Sequence, residues 1–262
     1  MDKTIVETPD PSDRDLRQRA YRLSLWGLLA NWERVAAQPW LPEVLRYEEL
    51  ERGRRSLERR VRNARLGRFK PMSDFDWNWP KVIDRDHIEE LLTLSFLEEG
   101  TNVVLVGGNG VGKTMIAKNL AHRAIMAGST ARFVTASELL NDLAAQETSS
   151  ALSRRIKHYC SPRLLAIDEV GYLATSSEHS DLLFELVSRR YEEKPTVLTT
   201  NRVFKDWDQV FPSSTCVATL IDRLIHKSEI IKIEGDSYRR KEAMEREKEG
   251  SKRRTARRKA TT

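Results

Sequence analysis

The residues richest in chemistry are Gly107-Gly108-Asn109-Gly110-Val111-Gly112-Lys113-Thr114, which follow the apolar run Val103-Val104-Leu105-Val106. This is G-x-x-x-x-G-K-T between an apolar run and the amphipathic stretch 115–121, the setting that a phosphate-binding loop requires. The four glycines allow backbone N–H groups to fold inward around polyphosphate oxygens, and the helix that follows aims its positive end at the same anion. Lys113 is placed to reach the β- and γ-phosphates, and the Thr114 hydroxyl to join a Mg²⁺ shell. A second apolar run, residues 164–167, ends in Asp168-Glu169. Asp168 can hold the metal directly or through water, and Glu169 can polarise an attacking water as general base. A third run, residues 196–200, ends in Asn201, which can hold that water in line if its strand lies beside that of Asp168. ATP and Mg²⁺ are the implied ligands.

These residues need a scaffold that brings three strand ends together. The chain alternates apolar runs and helical patterns in the manner of a parallel sheet with crossover helices. Strands are expected near 102–107, 132–135, 163–168, 195–199 and 229–233, with helices near 113–127, 136–146, 149–158, 179–192 and 215–226. Five such strands imply a doubly wound α/β core with ligands at the strand C-terminal ends. Residues 82–99 read as one further helix.

Upstream, residues 1–13 are polar, carry two prolines and read as a mobile leader. Residues 16–37 read as a helix rich in Leu and Trp. A longer helix follows over about 43–68, with Leu50, Leu57, Val61 and Ala64 as its apolar stripe. Arg54, Arg55, Arg59, Arg60, Arg62 and Arg65 occupy the rest of its circumference and are the candidate DNA-binding residues. Residues 70–80, bracketed by prolines, read as a linker whose Phe75, Trp77 and Trp79 pin it to the larger domain, with a binding role for these aromatics as the alternative. The expected organisation is a helical basic domain over 1–70, a linker over 71–81, an ATPase domain over 82–238 and a basic tail over 239–262.

The net charge of +6 is unevenly placed. Residues 1–70 hold sixteen Lys/Arg against eleven Asp/Glu and residues 239–262 eleven against four, which leaves the middle net negative. A polyanionic partner is therefore expected at the flanks, away from the nucleotide-binding body. The two cysteines, Cys160 and Cys216, and five scattered histidines form no metal-ligand spacing, and a reducing cytoplasm is the expected compartment. No apolar run approaches a membrane span, and the first residues lack the basic start and apolar stretch of a secretion signal.

The phosphate loop, the Asp168-Glu169 strand and the Thr199-Thr200-Asn201 strand, in this order, resemble the AAA+ ATPases. More closely, residues 183–191, the turn 168–173, Leu220-Ile221-Asp222-Arg223-Leu224, and Ile233-Glu234-Gly235-Asp236-Ser237-Tyr238-Arg239 resemble the IstB-type transposition helper ATPases, which are related to DnaC-type helicase loaders. The likeness runs from the N-terminal helices, through residues 57–66 and 73–76, to about Arg239. The family usually carries proline where Gly108 stands and histidine where Met115 stands.

The resemblance implies an AAA+ phosphate-loop core with a five-stranded parallel sheet, preceded by a small all-helical domain. It implies ATP-dependent self-assembly on double-stranded DNA, bending of that DNA and recruitment or stimulation of a partner transposase, in a bacterial cytoplasm. It also implies an arginine given to a neighbouring subunit's nucleotide, for which Arg223 matches the family pattern; Arg189, Arg190 and Arg239 are the alternatives. A DnaC-like helicase loader is the competing function. A DNA architectural protein that keeps nucleotide only as a structural ligand is a third, and the complete set Lys113, Asp168, Glu169 and Asn201 argues against it.

Overall fold

Leu and Trp at helical spacing fold the start of the chain into α1 (Asp13–Arg22), α2 (Trp26–Ala30), α3 (Trp32–Val35) and α4 (Leu41–Ala64). The structure, a computed structural model, describes residues 13–172, 176–209 and 214–259. The expected leader, apart from Asp13, lies outside the described residues, as do Leu173 and the end of the tail. The chain divides into two compact units between Arg59 and Arg60.

In the first unit, Leu16, Ala20, Leu23, Trp32, Leu41 and Leu45 form one buried cluster. Arg19 clasps Glu49 through two hydrogen bonds of 2.9 and 2.8 Å. The single helix expected over 16–37 is instead three. Ser24 takes a left-handed φ of 52°, and its N–H donates to Tyr21 O while that of Leu25 donates to Ala20 O, closing α1 as a Schellman turn. The apolar stripe on α4 is also not one buried seam: Leu50 is 60% exposed and Val61 46%. The cluster reaches α4 only as far as Leu45.

After the last residues of α4, the second unit continues with a 3-10 turn at Met72–Asp74, α5 (Arg85–Leu91) and α6 (Ser95–Glu99). The one helix expected over 82–99 is broken because Leu94 adopts a left-handed φ of 75°. Then follow β1 (Asn102–Gly107), α7 (Lys113–Met126), β2 (Ala131–Thr135), α8 (Ala136–Ala144), α9 (Ser149–Cys160), β3 (Leu164–Val170), α10 (Ser177–Arg190), β4 (Thr196–Thr200), α11 (Ser214–Ile225), β5 (Ser228–Ile233) and α12 (Tyr238–Lys259).

The five strands form one parallel sheet in the order β2-β3-β4-β1-β5. Val, Leu and Ile fill both faces, as expected of strands covered by crossover helices on each side. Val104, Val106, Leu165, Ile167 and Leu198 join a cluster with Leu139, Leu183, Leu186 and Leu220 of α8, α10 and α11. The alternate residues Val103, Leu105, Ala166 and Val197, equally buried, point to the opposite face, and α7 packs across β1 to β4. With β4 between β1 and β3, the ends of all three strands that carry candidate site residues open on one edge of the sheet.

Arg190, at the end of α10, braces the other edge. Only 2% exposed, it donates to Thr196 Oγ1 (3.1 Å) and to the carbonyls of Cys160 (3.2 Å), Pro162 (3.0 Å), Arg163 (3.2 Å) and Pro195 (2.7 Å). Burial pushes its guanidinium down to about 10, a cost that the carbonyls offset. These groups precede β3 and β4, so the side chain sets where both strands start. Arg190→Met strands several buried acceptors and is expected to cost about 3 kcal/mol. That is roughly 6–12 °C in Tm for a chain of this size, measurable by calorimetry.

Candidate nucleotide site

The loop between β1 and α7 is built by close approaches. Gly110 and Gly112 have φ of 80° and 106°, left-handed values that glycine adopts without strain. A β-carbon on Gly112 would also lie 2.5 Å from the Phe75 ring, and one on Gly110 would lie 2.2 Å from Ser237 Oγ. Side chains from the segment before the sheet and from the one after it thus press on the outside of the loop. Gly107, Gly108, Asn109 and Val111 complete its course. Lys113 begins α7, is buried, and its Nζ donates to the carbonyls of Gly107 (2.6 Å) and Gly108 (2.7 Å). Desolvation lowers the pKa of this ammonium, Asp168 opposes the shift, and Arg239 adds to it.

Across the loop, the Thr114 hydroxyl sits 3.0 Å from each carboxylate oxygen of Asp168. Thr199, on β4, donates to Asp168 Oδ1 at 2.5 Å, and its Oγ1 accepts the Glu169 N–H at 2.9 Å. One hydroxyl therefore orients both acids. Asp168 is 4% exposed, whereas Glu169 is open to solvent and carries a left-handed φ of 63°. The pairing of β3 with β4 slips between Ile167 and Val170, around these two acids. A non-glycine residue in this conformation costs of order 1–3 kcal/mol, and here it turns a carboxylate toward a cavity.

That cavity, about 390 Å³, is lined by residues 109–115, Asp168, Glu169, Thr199 and Asn201, and also by Phe75, Trp79, Tyr238 and Arg239. Asn201 follows β4, next to the β3 strand that ends in the acids, so the adjacency that its role required is met. Arg223, on α11, is not among the lining residues; it donates to Ser188 Oγ and lies over the Phe184 ring at 4.8 Å. Arg239, an alternative for the trans-acting arginine, lines its own subunit's cavity instead.

The candidate DNA-binding arginines lie along α4 and just beyond it. Arg54 pairs with Glu51 (2.8 Å) and Glu58 (2.5 Å), and Arg55 with Glu51 (2.7 Å). Hydrogen bonds from Arg54 and then Arg55 hold the Glu51 carboxyl down to about 2. Arg59, Arg62 and Arg65 are exposed, while Arg60 reaches Ile125 O at 3.4 Å.

Sequence reasoning missed Thr199, Ser237 and Tyr238, and ranked a binding role for the linker aromatics below pinning, whereas Phe75 and Trp79 line the cavity. Thr199 carried a signal, a threonine one strand over from an acid pair; Ser237 and Tyr238 arrive through the register, which sets Gly107 beside Ile233.

The model of the family described as IstB-like ATP binding protein matches residues 26–246. A Geobacillus stearothermophilus protein named for ATP binding and for insertion sequence IS5376 is 32% identical over 223 residues, 85% of this chain and 89% of its own. A Pseudomonas aeruginosa protein, named likewise for insertion sequence IS21, is 37% identical over 199 residues, covering 76% and 75%. Among solved structures, DnaI is similar with a TM-score of 0.51 at 22% identity, over 64% of this chain and 89% of that one. Domain III of the Thermotoga maritima replication initiation protein DnaA is similar with a TM-score of 0.50 at 20% identity, over 65% and 70%. These likenesses fix the fold as the AAA+ phosphate-loop core.

Proposed function

This chain belongs to the IstB-like ATP-binding protein family, and from that premise we propose that it is an ATPase that assembles on duplex DNA with ATP, remodels that DNA, and recruits or stimulates a partner transposase. One observation carries the chemistry: Thr114, Asp168, Thr199 and Glu169 form a single hydrogen-bonded chain at the mouth of the phosphate loop. ATP places its phosphates against the loop N–H groups and the start of α7, with Lys113 Nζ shared between them and the loop carbonyls. The Thr114 hydroxyl and the buried Asp168 carboxylate, which has no Lys or Arg ion pair among the described residues, are hard oxygen donors that suit Mg²⁺. When bound, that ion neutralises charge on the β- and γ-phosphates. Glu169 takes a proton from the attacking water, and Asn201 holds the water in line.

Lys113→Ala tests the site. The residue contributes charge-assisted hydrogen bonds from a buried position, each worth about 1.5–3 kcal/mol, so ATP affinity is expected to fall roughly a hundredfold or more. Unchanged affinity in a nucleotide titration would remove the assignment.

The insertion-sequence names of the relatives support transposition over helicase loading. For DNA, the support is the excess of Lys/Arg over Asp/Glu in residues 1–70. Arg54 and Arg55 are held only by exposed ion pairs, which solvent screens and a phosphate can displace. Neutralising Arg54, Arg55, Arg59, Arg60, Arg62 and Arg65 is expected to flatten the salt dependence of duplex binding by about 0.9 in log–log slope for each phosphate that is no longer neutralised. An unaltered slope moves the DNA interface elsewhere. For a protein partner, Tyr21, Trp26, Trp40 and Tyr47 expose aromatic surface on the first unit. For assembly, a fixed arginine outside its own cavity, Arg223, suits a neighbour's nucleotide.

A further inference from the structure

Helix α12 has two halves of different character. Residues 238–249 hold five Lys/Arg and four Glu, whereas residues 250–259 hold six Lys/Arg and no acid. The first half is spent on fixing the helix to the nucleotide site. Tyr238 N–H donates to Gly110 O of the phosphate loop at 3.0 Å, and Ser237 fills the space that any β-carbon on Gly110 would need. Lys241 pairs with Asp76 at 3.1 Å, and Glu242 with Lys70 at 2.8 Å. Trp79 Nε1 donates to Asp236 O at 2.7 Å. The helix root is thus bound on one side to the loop that holds phosphates and on the other to the segment that walls the cavity.

The second half holds no acid of its own. Arg253, Arg254, Arg257 and Arg258 recur in this stretch with no acid among them. Gly250 weakens the helix. Such an unbalanced run of positive charge suits a polyanion. Its twenty-two residues span about 33 Å at 1.5 Å each, enough to carry the cationic end well away from the cavity. Membrane surfaces are disfavoured, because a surface-lying helix needs a row of large apolar residues and residues 250–259 offer only Ala256.

We propose that α12 is a second DNA-binding arm, rooted on the phosphate loop, whose hold on the duplex backbone is set by whether ATP fills that loop. This rests on the nucleotide-binding reading above and adds an interface and a coupling to it. Polyphosphate drawn against Gly110 and its neighbours shifts the loop, the Gly110–Tyr238 bond carries the shift to the root, and the helix carries it to the cations. Couplings between two sites of one protein commonly amount to about 5–150-fold in affinity.

The test uses the full chain and two variants. One replaces Arg253, Arg254, Arg257 and Arg258 together with glutamine; the other is Lys241→Ala, which loosens the root. Affinity for a short random-sequence duplex is measured by fluorescence anisotropy over a range of salt, with Mg²⁺ and with or without a slowly hydrolysed ATP analogue. Binding of that analogue is titrated separately without DNA. The glutamine variant is expected to keep its analogue affinity and to show a log–log slope shallower by about 0.9 for each phosphate that these arginines neutralise. Lys241→Ala is expected to keep its slope while the ratio of duplex affinities with and without analogue falls toward one. An unaltered slope in the glutamine variant, with analogue binding intact, overturns this proposal and leaves the nucleotide site standing. Failure of the unmodified chain to bind the analogue overturns both. An equal flattening on vesicles rich in anionic lipid, with none on duplex, assigns the arm to membranes and overturns the DNA assignment.

Discussion

Replacing Arg223 with alanine is expected to lower ATP hydrolysis by roughly 10³–10⁵, the range in which a trans-supplied arginine acts in other phosphate-loop systems. The side chain is half-buried on α11, held by Ser188 and by the face of Phe184. It is a positioned cation that its own cavity does not use. Nucleotide binding by the isolated chain is therefore expected to survive the change, and steady-state hydrolysis to collapse. Mixing separates a trans role from local damage. Arg223→Ala subunits keep an intact phosphate loop and Lys113→Ala subunits keep the arginine, so a mixture is expected to regain turnover that neither has alone. A mixture that stays inactive, or an Arg223→Ala chain that hydrolyses ATP normally, rules out the assignment.

Glu169→Gln is expected to bind ATP and hydrolyse it about 10²–10⁴-fold more slowly, the usual contribution of a general base. The substitution conserves shape, and the bond that fixes the residue runs through its backbone N–H to Thr199, which glutamine retains. Loss of turnover would then report the missing carboxylate rather than a misplaced one. Because nucleotide stays bound, assemblies on DNA are expected to outlive those of the unmodified chain in a dissociation measurement. Turnover at the unmodified rate would exclude Glu169 as the base.

The parts of the site that could be read from the chain are those whose signals are local. Glycines at 107, 108, 110 and 112, then Lys113-Thr114, mark a strand-to-helix turn by themselves, and a buried run that stops at Asp168-Glu169 marks a strand end. All five strands and the five crossover helices fall within a few residues of their expected spans for the same reason. What escaped depends on partners far along the chain or on glycine-free turns. Ser24 closes α1 and Leu94 precedes α6, both in left-handed conformations that neither residue type advertises. Leu50 and Val61 keep helical spacing yet face solvent, because periodicity marks a stripe and says nothing of what covers it. Tyr238 and Arg239 meet the phosphate loop because β5 pairs with β1 in parallel, so the chain leaving Ile233 emerges beside Gly107. No pattern within residues 233–239 carries that information.

Trp79 lines the nucleotide cavity, donates its indole N–H to Asp236 O, and has the Lys241 ammonium 4.4 Å from its ring. Indole emission changes in colour and intensity with the charge and water around the ring. Trp207, by contrast, is fully enclosed and supplies an inert background. The unlabelled chain therefore contains an optical gauge at the cavity wall, through which loading and release of ligand can be timed in a stopped-flow cell without attaching a dye.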